Sequence, residues 1–379
     1  MSDMNKIFRV VLTGGGSGGH IYPLLAVAEA LQKKCDDLRA VVQFEYLGPK
    51  DSYSAILSVR GIPIHAISSG KMRRYFSVEN FLDAPKFVIG FVQALFTLYT
   101  IMPDIVFSKG GTGALPVIVA AWFYRIPIAI HDSDAQPGLT NVHSGRFAKK
   151  VFLSFDRAAA YFDRNKVVVT GAPLRTELLG ERVSKDVAKE MMGFDKAQTL
   201  TLVLGGSQGA MRINEFILTN LQQIIGMTSV LHQAGSANLA EVKTLSFAAL
   251  QSAPSTYRYV AVGYFQNDMA TALTAADVVV TRSGSSVCEL AAFGLPAILI
   301  PLAGSANDHQ RVDAYEFAKN GAAIVIEEAN LLPGIFMAQL KQIISDADLR
   351  AKMSAAASAF FIPGAAEKIA DELLVMGAK

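Results

Sequence analysis

Val10-Val11-Leu12-Thr13 runs into Gly14-Gly15-Gly16-Ser17-Gly18-Gly19 and then His20-Ile21-Tyr22-Pro23. A β-branched run, a glycine cluster and a helical stretch, in that order, describe a buried parallel strand turning into a helix. The arrangement returns mid-chain, where Leu202-Val203-Leu204 leads into Gly205-Gly206-Ser207-Gln208-Gly209-Ala210. From each opening the sequence alternates strand-like and helical stretches, which predicts α/β units. Strands are expected at 9–13, 41–47, 63–67, 104–108, 127–131 and 151–153, and again at 200–204, 229–233, 257–262, 278–281, 297–301 and 323–326. Two openings predict two Rossmann-like domains with parallel sheets facing across a cleft. Charged residues (Arg164, Lys166, Glu181, Arg182, Lys185, Asp186) collect between 162 and 198. The boundary is expected there, dividing the chain into 1–163 and 164–364.

The 379 residues suffice for two such domains, and 51% hydrophobic against 18% charged residues exclude a disordered chain. A formal net charge of +2 excludes a dedicated nucleic-acid binder. Positions 1–163 hold 17 basic and 13 acidic residues, the remainder 18 and 20, so the first half is expected to meet an anionic surface. Cys35 and Cys288 cannot form a disulfide framework and suit a reducing cytoplasm. The polar N-terminus does not read as a signal peptide. The most apolar stretch, 87–102, has 16 residues, or ~24 Å of helix against the ~30 Å of a bilayer core. A buried or membrane-facing helix is expected there, in a soluble or peripheral protein.

Each glycine loop can offer unpaired helix N–H groups to an anion. Gly14-x-Gly16-x-x-Gly19 formally matches a dinucleotide fingerprint, with Glu45 as its ribose acid. His20, at the helix entrance, is a candidate general base; alternatively it caps or packs. The loop 205–210 lacks the Gly-Lys-[Ser/Thr] ending of a nucleotide-hydrolysing loop. A third turn, Arg282-Ser283-Gly284-Ser285-Ser286, precedes Glu289, which could accept hydrogen bonds from both ribose hydroxyls. Asp132-Ser133-Asp134 could hold a cation through oxygen ligands, but no other carboxylate cluster supports it, and no metal is expected. Lys71, Arg73, Arg74, Tyr75, Phe76 and Phe81 mix cations with aromatics, as a membrane-contacting patch does; an inward-folded loop would look similar.

These motifs together resemble the MurG family, bacterial peptidoglycan N-acetylglucosaminyltransferases. The likeness is carried by Gly15-Gly16-Ser17-Gly18-Gly19-His20-x-x-Pro23, Pro137-Gly138-Leu139-Thr140-Asn141, Pro173-Leu174-Arg175, Gly205-Gly206-Ser207-Gln208-Gly209-Ala210, Arg282-Ser283-Gly284 with Glu289, and His309-Gln310. It implies a GT-B fold, with the final helix, within 365–379, returning to the first domain. Donor contacts would come from Ser17, Gly18, Gly19, Asp134, Arg175, Ser207, Gln208, Gly209, Gln266, Arg282, Ser283, Gly284, Ser285, Ser286, Glu289 and Gln310. The acceptor would meet Gly16, His20, Tyr22, Gly111, Thr112 and Asn141.

The implied reaction is inverting, metal-independent transfer of GlcNAc from UDP-GlcNAc to the MurNAc 4-hydroxyl of undecaprenyl-pyrophosphate-linked lipid I. No cofactor is expected. The location implied is the cytoplasmic face of the inner membrane. The chain departs from the family pattern at His131-Asp132-Ser133-Asp134 (usually His-Glu-Gln-Asn), at Ala172 and Asp313 (usually Asn), and in the shorter 282–289 turn. Asp134 is expected to weaken discrimination against UDP-glucose. The alternatives are a GT-B transferase with another sugar or lipid acceptor, such as diacylglycerol, a nucleotide-dependent dehydrogenase, and a non-catalytic scaffold.

Overall fold

A computed structural model of the protein describes residues 7–51, 53–69, 78–111, 113–206, 209–251, 256–265, 267–305 and 308–378, the side chains of 78–84 excepted. The chain divides into two compact units, Met1–Arg175 with Ile362–Lys379, and Thr176–Phe361.

The first unit is built on seven parallel strands, β1 Ile7–Gly15, β2 Val41–Gly48, β3 Ile64–Ala66, β4 Ile105–Gly111, β5 Ile128–Asp132, β6 Lys150–Leu153 and β7 Val167–Val169. Their spatial order is β3-β2-β1-β4-β5-β6-β7. Strand β1 is buried on both faces, so its side chains serve two cores in alternation. Val10 and Leu12 pack with Ile21, Leu24 and Leu31 of the helix Gly18–Asp37, and Val11 packs with Val117 and Ala121 of the helix Ala114–Phe123. The final helix, Ala365–Gly377, adds Ile369, Ala370 and Leu373 to the first of these cores, with Lys34 and Asp371 ion-paired at 2.6 Å. Strand β7 pairs with β6, so the first unit runs to Arg175, past the boundary expected at 163.

The second unit holds β8 Leu200–Leu204, β9 Ser229–Gln233, β10 Tyr259–Val262, β11 Val278–Thr281, β12 Ala297–Leu299 and β13 Ala323–Val325. All are parallel, in the order β10-β9-β8-β11-β12-β13. One face is filled by Val203, Val278, Val280 and Ile298 against Ile213, Ile217, Phe336 and Leu340. In each sheet the strand order reverses once, between β1 and β4 and between β8 and β11. Open α/β sheets bind ligands at such reversals, beyond the strands' carboxyl ends.

Candidate functional site

Both glycine loops emerge at these reversals. In the first unit β1 and β4 end together, with Gly14 opposite Gly110 and Gly15 opposite Gly111, after a register shift at Thr13. The helix Gly18–Asp37 starts at once, with extended Ser17 as its cap residue and Gly18 and Gly19 in its first turn. The Ser17 side chain does not cap the helix. Its Oγ lies 2.9 Å from His20 Nδ1, fixing the imidazole at the helix entrance. Gly111 has φ +83°, and a Cβ there would overlap the Gly15 carbonyl oxygen and come 3.2 Å from His20 Cε1 and Nε2. Ser17, His20 and Gly111 are therefore brought together. Gly16 donates its N–H to Asp51 Oδ2 at 3.2 Å, while Asp51 Oδ1 accepts from Tyr53 N and Ser54 N. Asp51 was not singled out from the sequence, although an Asp three residues before a Ser that opens a helix signals such a turn. Arg175 stacks over the Tyr22 ring at 4.6 Å.

Beside this turn lies a buried polar cluster. Asp132 Oδ1 accepts the Asp134 N–H at 2.9 Å, and Oδ2 accepts from Asn141 Nδ2 at 2.8 Å. The Asp-x-Asp sequence is thus a local turn, and half-buried Asp134 follows it. Asn141 also donates to the His131 carbonyl at 3.0 Å, so it braces the loop. His131 Nε2 meets the Gly171 carbonyl at 3.1 Å; burial, with the Lys109 charge, lowers its pKa well below the usual value and keeps it neutral.

Burial, then the Asp134 charge, pushes the Asp132 pKa up to about 6. A carboxyl whose folded pKa exceeds its unfolded one stabilises the fold while protonated. That contribution is whole below about pH 4 and lost as pH rises through about 6. Wild type should therefore lose stability relative to Asp132→Asn across this window, by of order 3 kcal/mol at most. Chemical denaturation of both proteins from about pH 4 to 7 checks this, and a constant difference between them would contradict it.

In the second unit, paired residues Leu204 of β8 and Thr281 of β11 release two adjacent turns. The first passes through Gly205, Gly206 and Gly209 into the helix Met211–Thr219; Gly209 has φ +77°, and a Cβ there would overlap Asn238 Nδ2. The second opens the helix Ser286–Phe293, with Gly284 at φ +130° and Ser285 as cap residue. Ser286 Oγ donates to the Arg282 carbonyl at 3.1 Å, and Ser283 Oγ to the Gln310 carbonyl at 2.5 Å. Glu289 is half-buried, one turn inside this helix. Gln310 Oε1 accepts from Leu302 N at 2.9 Å. The Arg282 guanidinium holds Glu328 at 2.6 Å and the Ile300 carbonyl at 3.0 Å, so it supports the turn from behind.

Thr112, Ser207, Gln208, Gln266, Lys71, Arg73, Arg74, Tyr75 and Phe76 lie outside the described residues, as does the side chain of Phe81. The apolar stretch 87–102 falls in the helix Val78–Ile101, which is buried on one side only. Ala94 and Leu98 face the core, while Val88, Ile89, Val92, Phe96 and Tyr99 are 52–72% exposed. Among the described residues no helix is long and apolar enough to cross a membrane.

Residues 10–153 match the model of the glycosyltransferase family 28 N-terminal domain, and residues 200–369 that of the family 28 C-terminal domain. The chain is 35% identical over 343 residues (89% of it, 90% of the relative) to the UDP-N-acetylglucosamine–N-acetylmuramyl-(pentapeptide) pyrophosphoryl-undecaprenol N-acetylglucosamine transferase of Legionella pneumophila strain Lens. The protein of the same name from Clostridium kluyveri is 34% identical over 88% of the chain and 91% of its own length. The crystal structure of Acinetobacter baumannii MurG matches with a TM-score of 0.76 at 26% identity, covering 97% of this chain and 99% of that one.

Proposed function

The chain belongs to glycosyltransferase family 28 and has the GT-B fold, and from that premise we propose that it transfers GlcNAc from UDP-GlcNAc to an undecaprenyl-pyrophosphate-linked MurNAc-pentapeptide. The supporting observation is His20, tied to Ser17 and facing Gly111 at the β1–β4 reversal, in a chain a third identical to enzymes named for that reaction. When His20 donates Nδ1–H to Ser17, Nε2 is the basic nitrogen. The acceptor hydroxyl oxygen bonds to the sugar's anomeric carbon, its proton passes to Nε2, and the bond to the diphosphate breaks, releasing UDP with inversion. Charge on the leaving diphosphate would be met by the backbone N–H groups of turns 205–210 and 283–286, with no metal in the step. Glu289 would accept from the ribose hydroxyls, and Gln310 would offer its amide Nε2 to the sugar.

The test is turnover by the purified chain with UDP-GlcNAc and UDP-glucose, each against lipid-linked MurNAc-pentapeptide and diacylglycerol, with and without EDTA. UDP-GlcNAc with the MurNAc lipid should be the preferred pair and should survive EDTA. Better use of UDP-glucose on diacylglycerol would promote the lipid glycosyltransferase reading. Loss in EDTA with recovery in magnesium would overturn the metal-free step.

The same reading makes the protein peripheral at the cytoplasmic face of the membrane, through the outer side of Val78–Ile101 and the cations of 71–74. Phe96 and Val92, both exposed, would insert among acyl chains, each contributing up to about 1.5–3 kcal/mol. Phe96→Ser with Val92→Ser should weaken sedimentation with anionic vesicles by about tenfold or more, leaving UDP affinity unchanged. Unaltered sedimentation would remove this face from the membrane contact.

A further inference from the structure

At the opposite end of the second sheet, where β11 and β12 begin, lies a cavity of about 420 Å³ whose walls carry Arg182, Lys185 and Arg350 against a single carboxylate, Asp277. Asp277 is already engaged, by Lys189 at 2.7 Å, by Lys185 at 3.0 Å and by the Leu200 N–H at 2.9 Å. The two arginines have a structural duty. Arg182 donates to the Ala292 carbonyl at 3.0 Å and the Leu178 carbonyl at 3.2 Å while stacking on Phe293 at 3.7 Å. Arg350 NH1 donates to the carbonyls of Ile343 and Ile344. Capping helix ends in this way is the plain explanation of both residues, and it accounts for part of their charge.

It does not account for the rest. Three helix carboxyl ends supply at most about half a negative charge each and Asp277 one more. Four cations, Lys189 included, therefore leave roughly one to two positive charges in excess. Among the described residues neither arginine is paired with a carboxylate, and partial burial lowers the Arg182 pKa with no opposing charge. Each guanidinium also keeps donors beyond those used on carbonyls, since the group has five. Thr274 and Ser354 add hydroxyls, and Leu295 and Pro296 form an apolar wall.

We propose that this cavity binds a phosphate ester, with Arg182, Lys185 and Arg350 on the phosphate and the organic part against Leu295 and Pro296. It lies at the strand ends remote from the turns 205–210 and 282–286, so it is a second site, independent of the donor reading.

Inorganic pyrophosphate titrated calorimetrically into the full chain is the probe. Saturable binding is expected, weakened about tenfold or more by Arg350→Gln and by Ala351→Glu. The second variant places a carboxylate on the exposed rim and removes none of the hydrogen bonds of Arg182 or Arg350, so it stands if the first fails to fold. UDP and glucose 6-phosphate as competitors, read on the component that Ala351→Glu weakens, separate the sources: displacement of that component by UDP identifies a nucleotide, and displacement by the sugar phosphate alone identifies another ester. No saturable binding up to roughly 10 mM, or equal binding by wild type and Ala351→Glu, overturns the proposal.

Discussion

Replacing His20 by Gln is expected to lower kcat by about 10²–10⁴-fold while changing UDP affinity little. Gln can keep a hydrogen bond to Ser17 Oγ, so the turn 14–19 should hold its shape and the loss should report proton transfer alone. The placement supports this division. His20 is at the amino end of a helix, its Nδ1 is 2.9 Å from Ser17, and Nε2 faces the Gly111 backbone. Such a side chain is orientated by its neighbours and takes no part in the core. Ser17→Ala, which frees the ring to rotate, should show a smaller loss of kcat. A His20→Gln enzyme within tenfold of wild type would transfer the base role elsewhere.

Gly111→Ala should be a strongly damaging single-methyl change in the first unit. Its backbone sits at φ +83°, where a Cβ costs about 1–2 kcal/mol before any contact is counted. The added atom then overlaps the Gly15 carbonyl oxygen, which is main chain of the paired strand and cannot rotate away. Overpacking of that kind typically costs about 1–3 kcal/mol more. A total near 2–5 kcal/mol should lower the Tm of the first unit by on the order of 10 °C. Turnover should fall further than the folded fraction does, because the relaxing strands carry His20 with them. A variant that melts within a few degrees of wild type and retains its turnover would mean that β1 and β4 part easily at this point.

Twelve of the thirteen strands among the described residues could be read from runs of β-branched residues between glycine turns, because strands buried on both faces have nearly unbroken apolar sequences. The thirteenth, Val167–Val169, has the same composition but only three residues, flanked by Arg164, Lys166 and later charges. The local charge suggested a linker, and pairing with β6 decided otherwise. At the candidate site, glycine and hydroxyl residues declared themselves because the turns need them whatever they bind. What the sequence could not tell apart was reaching a ligand from holding up the residue that does. Arg282 and Asn141 have side chains suited to either task, and their partners, Glu328 and Asp132, are 46 and 9 residues away. Asp51 escaped notice for the same reason, since its bond to Gly16 spans 35 residues.

The helix Ala365–Gly377 belongs to the first unit yet is encoded after the whole of the second. On the ribosome the second unit, Thr176–Phe361, is complete before the core under Val10 and Leu12 has its cover. Until Ile369 and Leu373 emerge, the nascent first unit presents an apolar groove that Gly18–Asp37 alone does not close. The usual amino-to-carboxyl order of domain maturation is thereby inverted. A released chain truncated after residue 361 should be protease-resistant in its second unit and still open to cleavage in its first. That chain should lean on chaperones more heavily than the full-length one.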